Sequence, residues 1–248
     1  MKNGQKALAP ESAHEERLIC GLFSRKHGAQ FILSGIAHVH STHFGKKDSC
    51  VQATKSALNT DHLPEYVWEK HNKIFTLTLK DSLSRSEVIQ KVLNHPEAIG
   101  KKRMEERVSL VLEELLSNGF YHAYSNRTGK NKYQRTKAAH LTDKEALSLR
   151  FAFTEDGIFI EVTDQGGKLT FDEVASALSR CYDRGGKQIE DKESGAGLGT
   201  YLVLEAVSHL KIVVTAGVST VVSCWISDRM ASNHADSFSF NFFQKSKI

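Results

Sequence analysis

At 248 residues, 40% hydrophobic and 25% charged, the chain has the make-up of a globular protein: one sizeable domain with an extension, or two small domains. No apolar run approaches the roughly 18–20 residues of a membrane helix. The opening MKNGQKALAPESAHEER has no apolar signal-peptide core, so cytoplasmic residence without a membrane partner is expected. The net charge of +4 is mild, and Cys20, Cys50, Cys181 and Cys224 show no C-x-x-C spacing, so a zinc ribbon or a disulfide framework is not expected.

Residues 1–68 read as an N-terminal extension of unknown fold, with a helix over 13–24, one or two strands in QFILSGIAHVH (30–40) and a helix in SCVQATKSALN (49–59). Alternate histidines on a strand share a face and can bind metal, but no carboxylate or cysteine pair completes a set around His38, His40 and His43. They are read as ordinary surface histidines. The alternation in KIFTLTLK (73–80) predicts a strand. SRSEVIQKVLNH (84–95) predicts an amphipathic helix with a capping box from Ser84 to Glu87. A long helix follows over about 101–125. The run NRTGKNKYQRTK (126–137) holds five basic residues and no acid. It is read as a solvated loop, because one tyrosine makes no stacking platform for nucleic acid.

Two strands, 147–154 and 158–164, are joined by a tight turn at Glu155-Asp156-Gly157. A helix capped by Thr170 covers 170–183, a charged loop leads to ESGAGLGTYLVLEAV (193–207), and a helix covers 200–209. A hairpin turned at Gly217 closes a unit over 69–230, and the tail 231–248 receives no assignment. Strands and helices in this order predict an α+β fold, a sheet covered on one face by helices.

Three features carry chemistry. Glu114, Asn118 and His122 stand at i, i+4 and i+8, so they form one polar seam beside the apolar stripe of the long helix. Asp164 ends a strand and is followed by Gly166 and Gly167; a carboxylate there can accept from an exocyclic amine, and glycine lets a flat ring approach. Gly195, Gly197 and Gly199 open a helix, where free N–H groups suit phosphate. Neither G-x-x-x-x-G-K-[ST] nor G-x-G-x-x-G after a strand is present.

In this order the three features resemble the ATP-binding superfamily of gyrase, Hsp90, histidine kinases and MutL (GHKL) over roughly residues 70–228. EELLSNGFYHAY is similar to its N box, DQGG to its first glycine box and GAGLGTYLV to its second, while GVSTVVSCWI is similar to its closing strand. SNGFYHAY resembles most the bacterial anti-sigma serine kinases. Here Lys168 stands where the first glycine box has its last glycine.

The resemblance implies a Bergerat-type two-layer α/β sandwich with a mixed, mostly antiparallel sheet, and ATP and Mg²⁺ as cofactors. It implies Glu114 as general base, Asn118 as the Mg²⁺ ligand, and Asp164 as partner of the adenine amino group. It assigns nucleotide contacts to Asn118, His122, Asp164, Gly166, Gly195, Gly197, Leu198, Gly199, Thr200 and Thr220, with 183–194 as a lid in which Arg184, Lys187 and Lys192 supply countercharge. The implied partner is a STAS-type antagonist, a sigma factor or another regulator, with homodimerisation open and nucleic acid not expected. Two other readings stand beside the serine kinase: the catalytic module of a histidine kinase, for which His14 in AHEERL would be the phosphoacceptor, and an ATP-binding module that sequesters a partner without turnover.

Overall fold

The computed structural model describes residues 18–21, 25–41, 73–98, 101–126, 128–155, 157–183, 198–228 and 238–246. These residues form an α+β protein. Its strands are β1 (Leu18–Gly21), β2 (His38–Ser41), β3 (Phe75–Leu79), β4 (Leu147–Thr154), β5 (Gly157–Asp164), β6 (His209–Thr215), β7 (Ser219–Ser227) and β8 (Phe238–Lys245). They build one mixed sheet in the order β1-β2-β8-β6-β7-β5-β4-β3. Only β1 with β2 and β6 with β8 pair parallel. The helices are α1 (Arg25–Leu33), α2 (Arg85–Leu93), α3 (Lys102–Tyr121), α4 (Phe171–Asp183) and α5 (Leu198–Ala206). The arrangement is compatible with a two-layer sandwich. No described helix is long and apolar enough to cross a membrane.

Register explains the core. Leu149, Val162, Val222, Ile212 and Phe242 are successive cross-strand partners on β4, β5, β7, β6 and β8, so alternation puts one apolar row on a single face. Helix α3 packs on this face, against β4, β5 and β7. It buries Val108, Leu112, Leu116 and Phe120, positions at helical spacing, each worth about 1.5–3 kcal/mol on burial. Gly119 sets how closely α3 approaches: a Cβ there would lie 2.8 Å from Cδ1 of Leu147. On the opposite face Glu161 is wholly buried, and it accepts from Arg150 Nη1 (3.1 Å) and Ser223 Oγ (2.9 Å), so its charge is compensated.

Several expectations change. Residues 18–41 and 238–246, set outside the 69–230 unit by the sequence reading, supply three strands of the same sheet. A helix was expected over 13–24, yet residues 18–21 are strand β1, paired to β2; a partner distant in sequence overrides local propensity. Of the one or two strands expected over 30–40, one is present, β2 from His38, while residues 30–33 belong to α1. Helix α1 ends in a Schellman motif: Gly35 has φ +86°, Gly35 N donates to Ile32 O (3.0 Å) and Ile36 N to Phe31 O (3.1 Å). His38 and His40 are buried rather than on the surface, and one ring nitrogen of each, His38 Nδ1 and His40 Nε2, meets Asn241 Oδ1, at 3.2 and 3.0 Å.

The Ser84 capping box does not form. Ser84 Oγ donates to Asp81 O (2.7 Å) instead, because a short 3-10 turn, capped by Asp81, precedes α2. The Thr170 cap does form, with Glu173 N donating to Thr170 Oγ1 (3.2 Å) and Thr170 N to Glu173 Oε2 (2.8 Å). The helix expected over 49–59 lies outside the described residues.

Leu116 sits under the segment of α3 that carries the polar seam and is fully buried. Leu116→Ala is expected to cost about 2–5 kcal/mol, through lost transfer energy and a residual cavity. Urea denaturation of the variant beside the wild type measures it; a midpoint unchanged in urea would mean that α3 is not clamped through this residue.

Candidate functional site

Helix α3 ends at Tyr121. His122 caps it, donating its N–H to Asn118 O (2.9 Å). Strand β5 ends at Asp164, directly opposite Thr220 of β7. These ends meet around a cavity of about 230 Å³. Val162 and Val222, partners across β5 and β7, supply apolar floor, and Asn118, His122, Asp164 and Thr220 supply polar groups. The volume lies below the roughly 300–1,000 Å³ of drug-sized pockets, and it suits one flat heterocycle rather than a whole nucleotide.

Asp164 is held by its own turn. Its Oδ1 accepts from Gly166 N (2.8 Å) and Gly167 N (3.3 Å), and the carboxylate also accepts from Thr220. Burial pushes its pKa above the ordinary aspartate value, against the pull of those three partners. A carboxylate has about four acceptor sites, and Gly166 N, Gly167 N and the hydroxyl and backbone N–H of Thr220 already address them, so a donor in the cavity would share a lone pair with one of these. The two glycines are required here. A side chain at Gly166 would overlap the Ala123 carbonyl, and at Gly167, where φ is +57°, a Cβ would overlap the Thr215 carbonyl.

The loop read as solvated is a wall of this cavity. Asn126 Oδ1 gathers Thr128 N (2.9 Å) and Lys130 N (3.1 Å), and Lys132 N returns to Tyr124 O (2.9 Å). Asn131 then faces His122. Lys168 Nζ donates to Asn131 Oδ1 (2.9 Å), which turns the Asn131 amide nitrogen toward His122 Nδ1 (2.9 Å). With that assignment Nδ1 accepts, and the imidazole proton sits on Nε2. Burial, then the charges of Arg135 and Lys168, lower the His122 pKa, so the ring is neutral at pH 7. Asn131, Leu169 and Glu173 line the cavity without having been singled out in the sequence. The signal for Glu173 was its capping spacing from Thr170; Asn131 had none, because its role comes from a turn.

The loop is pinned by Glu145. Its carboxylate accepts from Lys132 Nζ (2.6 Å), Tyr133 OH (2.9 Å), Thr142 N (3.1 Å) and Thr142 Oγ1 (2.9 Å). Desolvation pushes its pKa up, but these donors together outweigh it and bring the value down to about 2. Tyr124 joins the two sides, accepting from Gln165 N (3.1 Å) and donating to Glu145 O (2.7 Å); burial pushes its phenol up to about 12.

The structure divides the seam. Asn118 and His122 line the cavity, but Glu114, two turns earlier than His122, does not. Each i, i+4 step drifts about 40°, so two steps turn the carboxylate away from the cavity. Glu114 instead lies against Gly199 in the first turn of α5, where any side chain would overlap its carboxylate. Burial raises its pKa, with Arg135 opposing the rise. Gly199 is buried and Thr200 half-buried in the same turn. Gly195, Gly197 and the stretch with Arg184, Lys187 and Lys192 lie outside the described residues, as do His14 and His43. Among the described residues, no group of three His, Cys, Asp or Glu side chains could hold a metal ion. Comparison of the chain with protein-family models and with curated proteins finds no match.

The Glu145 cluster gives a pH signature. Its folded pKa is depressed, so its stabilising contribution is present above the ordinary glutamate value of 4.5 and is lost as pH falls through about 2. Glu145→Gln is expected to be less stable than wild type near pH 7, with the gap closing over that window. Thermal melts of both proteins across the window measure it; a gap independent of pH would assign Glu145 no electrostatic part in holding the loop.

Proposed function

We propose that this chain binds ATP in a Bergerat-type fold and acts as a protein serine/threonine kinase, passing the γ-phosphoryl group to a hydroxyl of a protein partner. The observation that carries the reading is the convergence of Asn118, Asp164 and Thr220, from three elements distant in sequence, on one cavity sized for a flat base. The second support is Glu114, whose carboxylate stands at the first turn of α5, the turn in which the glycine run ends.

In this reading the adenine lies on Val162 and Val222, with its amino group donating to Asp164. The His122 Nε2–H and the Lys168 ammonium are donors at the rim. The phosphates extend toward the first turn of α5, where free N–H groups and the helix dipole favour negative charge. The side-chain oxygen of Asn118 would hold Mg²⁺, which takes few protein ligands and completes its shell with phosphate and water; this fits the described residues, among which no group of three metal-binding side chains occurs. When bound, Mg²⁺ neutralises phosphate charge. Glu114 takes the proton of the attacking hydroxyl as the new O–P bond forms and the bond to the ADP oxygen breaks. Its burial-raised pKa makes it a stronger base than a solvated glutamate.

Two substitutions test this. Asp164→Asn is expected to weaken ATP and to relax its preference over GTP, since guanine offers a carbonyl where adenine offers an amine. Calorimetry with both nucleotides measures it, and a wild type that binds neither would end the reading. Glu114→Gln keeps shape but removes the base. Single-turnover transfer is expected to fall by about 10²–10⁴-fold with ATP affinity little changed. Full transfer in the variant would remove Glu114 from the chemistry, and ATP binding without transfer by the wild type would favour a sequestering module.

A further inference from the structure

A second depression, of about 550 Å³, lies on the outer side of α3. Leu93 from the end of α2, Leu110 from α3 and Leu202 from α5 supply its apolar surface, and all three are half-exposed. Glu105, Glu106 and Glu113 supply its rim, and no lysine, arginine or histidine is among the described residues that line it. Glu113 is paired with Arg85 at 2.9 Å, whereas Glu105 and Glu106 are exposed and make no ion pair among the described residues. Glu105 sits in the first turn of α3, where an acid also favours the helix dipole; Glu106 and Glu113 have no such role. On a chain of net charge +4 this is an acidic island.

The groove ends at Glu114, the residue that meets the first turn of α5. The ATP cavity lies on the other side of the same helix. We propose that this groove seats the segment of the protein partner that carries the phosphoacceptor hydroxyl, and that the segment is basic, with lysines or arginines flanking an apolar residue. The acceptor role rests on the kinase reading above; the preference for a basic, apolar segment rests on the groove alone. Leucine-lined surface favours an apolar anchor, and a rim of one sign selects the opposite sign and steers its approach. A bound segment places its hydroxyl beside the Glu114 carboxylate, which takes the proton while the phosphoryl group arrives from the cavity side.

Two short fluorescent peptides test this, each with one serine beside leucines, one rich in lysine and arginine and the other in aspartate and glutamate. Anisotropy is expected to show the basic peptide binding, with an affinity that falls as salt is raised, and the acidic peptide not binding. Glu105→Lys with Glu106→Lys is expected to weaken the basic peptide about tenfold and to raise its KM for phosphorylation while leaving kcat and ATP affinity unchanged. Both positions are exposed, and the milder Glu105→Gln with Glu106→Gln serves if the reversal disturbs folding. Equal binding of both peptides, or binding unaltered in the neutral and reversed variants, would overturn the inference. So would a wild-type dimer in sedimentation that the charge variants dissociate, since the groove would then belong to a second copy. ATP binding without basic-peptide binding defeats the groove alone; basic-peptide binding without ATP binding defeats the kinase reading alone.

Discussion

Gly119 lets α3 come against β4 until the Leu147 side chain fills the space where any other residue would carry a Cβ. A glycine in a helix interior costs about 1 kcal/mol relative to alanine. Here that cost sets the depth at which the polar margin of α3 sits over β5 and β7. A helix held further from the sheet would lift Asn118 and His122 from the cavity that Val162, Val222, Asp164 and Thr220 form below them. The buried stripe of Leu112, Leu116 and Phe120 fixes the rotation of the same helix, and so decides which polar residue faces which side.

That rotation gives α3 two working edges. One carries Asn118 and His122 to the cavity; the other carries Glu114 to the first turn of α5 and to the acidic groove. The separation has a chemical consequence in the proposed reaction. In that reading the adenine binds at one edge, and Glu114 stands at the other, at the first turn of α5 where the phosphates and the incoming hydroxyl meet. Burial raises the pKa of Glu114, and the charge of Arg135, carried by the loop after α3, limits the rise.

The loop after α3 shows how a polar segment becomes structural. Its five basic residues suggest a solvated run. Yet Asn126 folds it into a local turn, Glu145 and Tyr124 tie it to the strand that follows and to the exit of β5, and Lys168 orients the Asn131 amide. The chain of donors from Lys168 through Asn131 to His122 then assigns the imidazole proton. The residue that departs from the glycine pattern of the resembled superfamily, Lys168, is thus the one that organises this rim.

Local pattern determined much of this protein. Periodicity located α3 and the hairpins β4–β5 and β6–β7, and capping chemistry located the start of α4, because these depend on residues a few positions apart. The seam of Glu114, Asn118 and His122 and the turn at Asp164 were legible for the same reason. Strand β8 was legible in principle, since Phe238, Phe240 and Phe242 alternate with Ser239 and Asn241, but only its partners β2 and β6 show where it belongs. Tertiary structure alone decided that 18–21 is a strand, that His38 and His40 are buried on Asn241, that Asn131 borders the cavity, and that Glu114 parts from Asn118. Each of these depends on a partner brought from a distant part of the chain, or on which way a helix is turned once its apolar stripe is buried. A sequence states spacing along the chain, and only packing converts spacing into a direction.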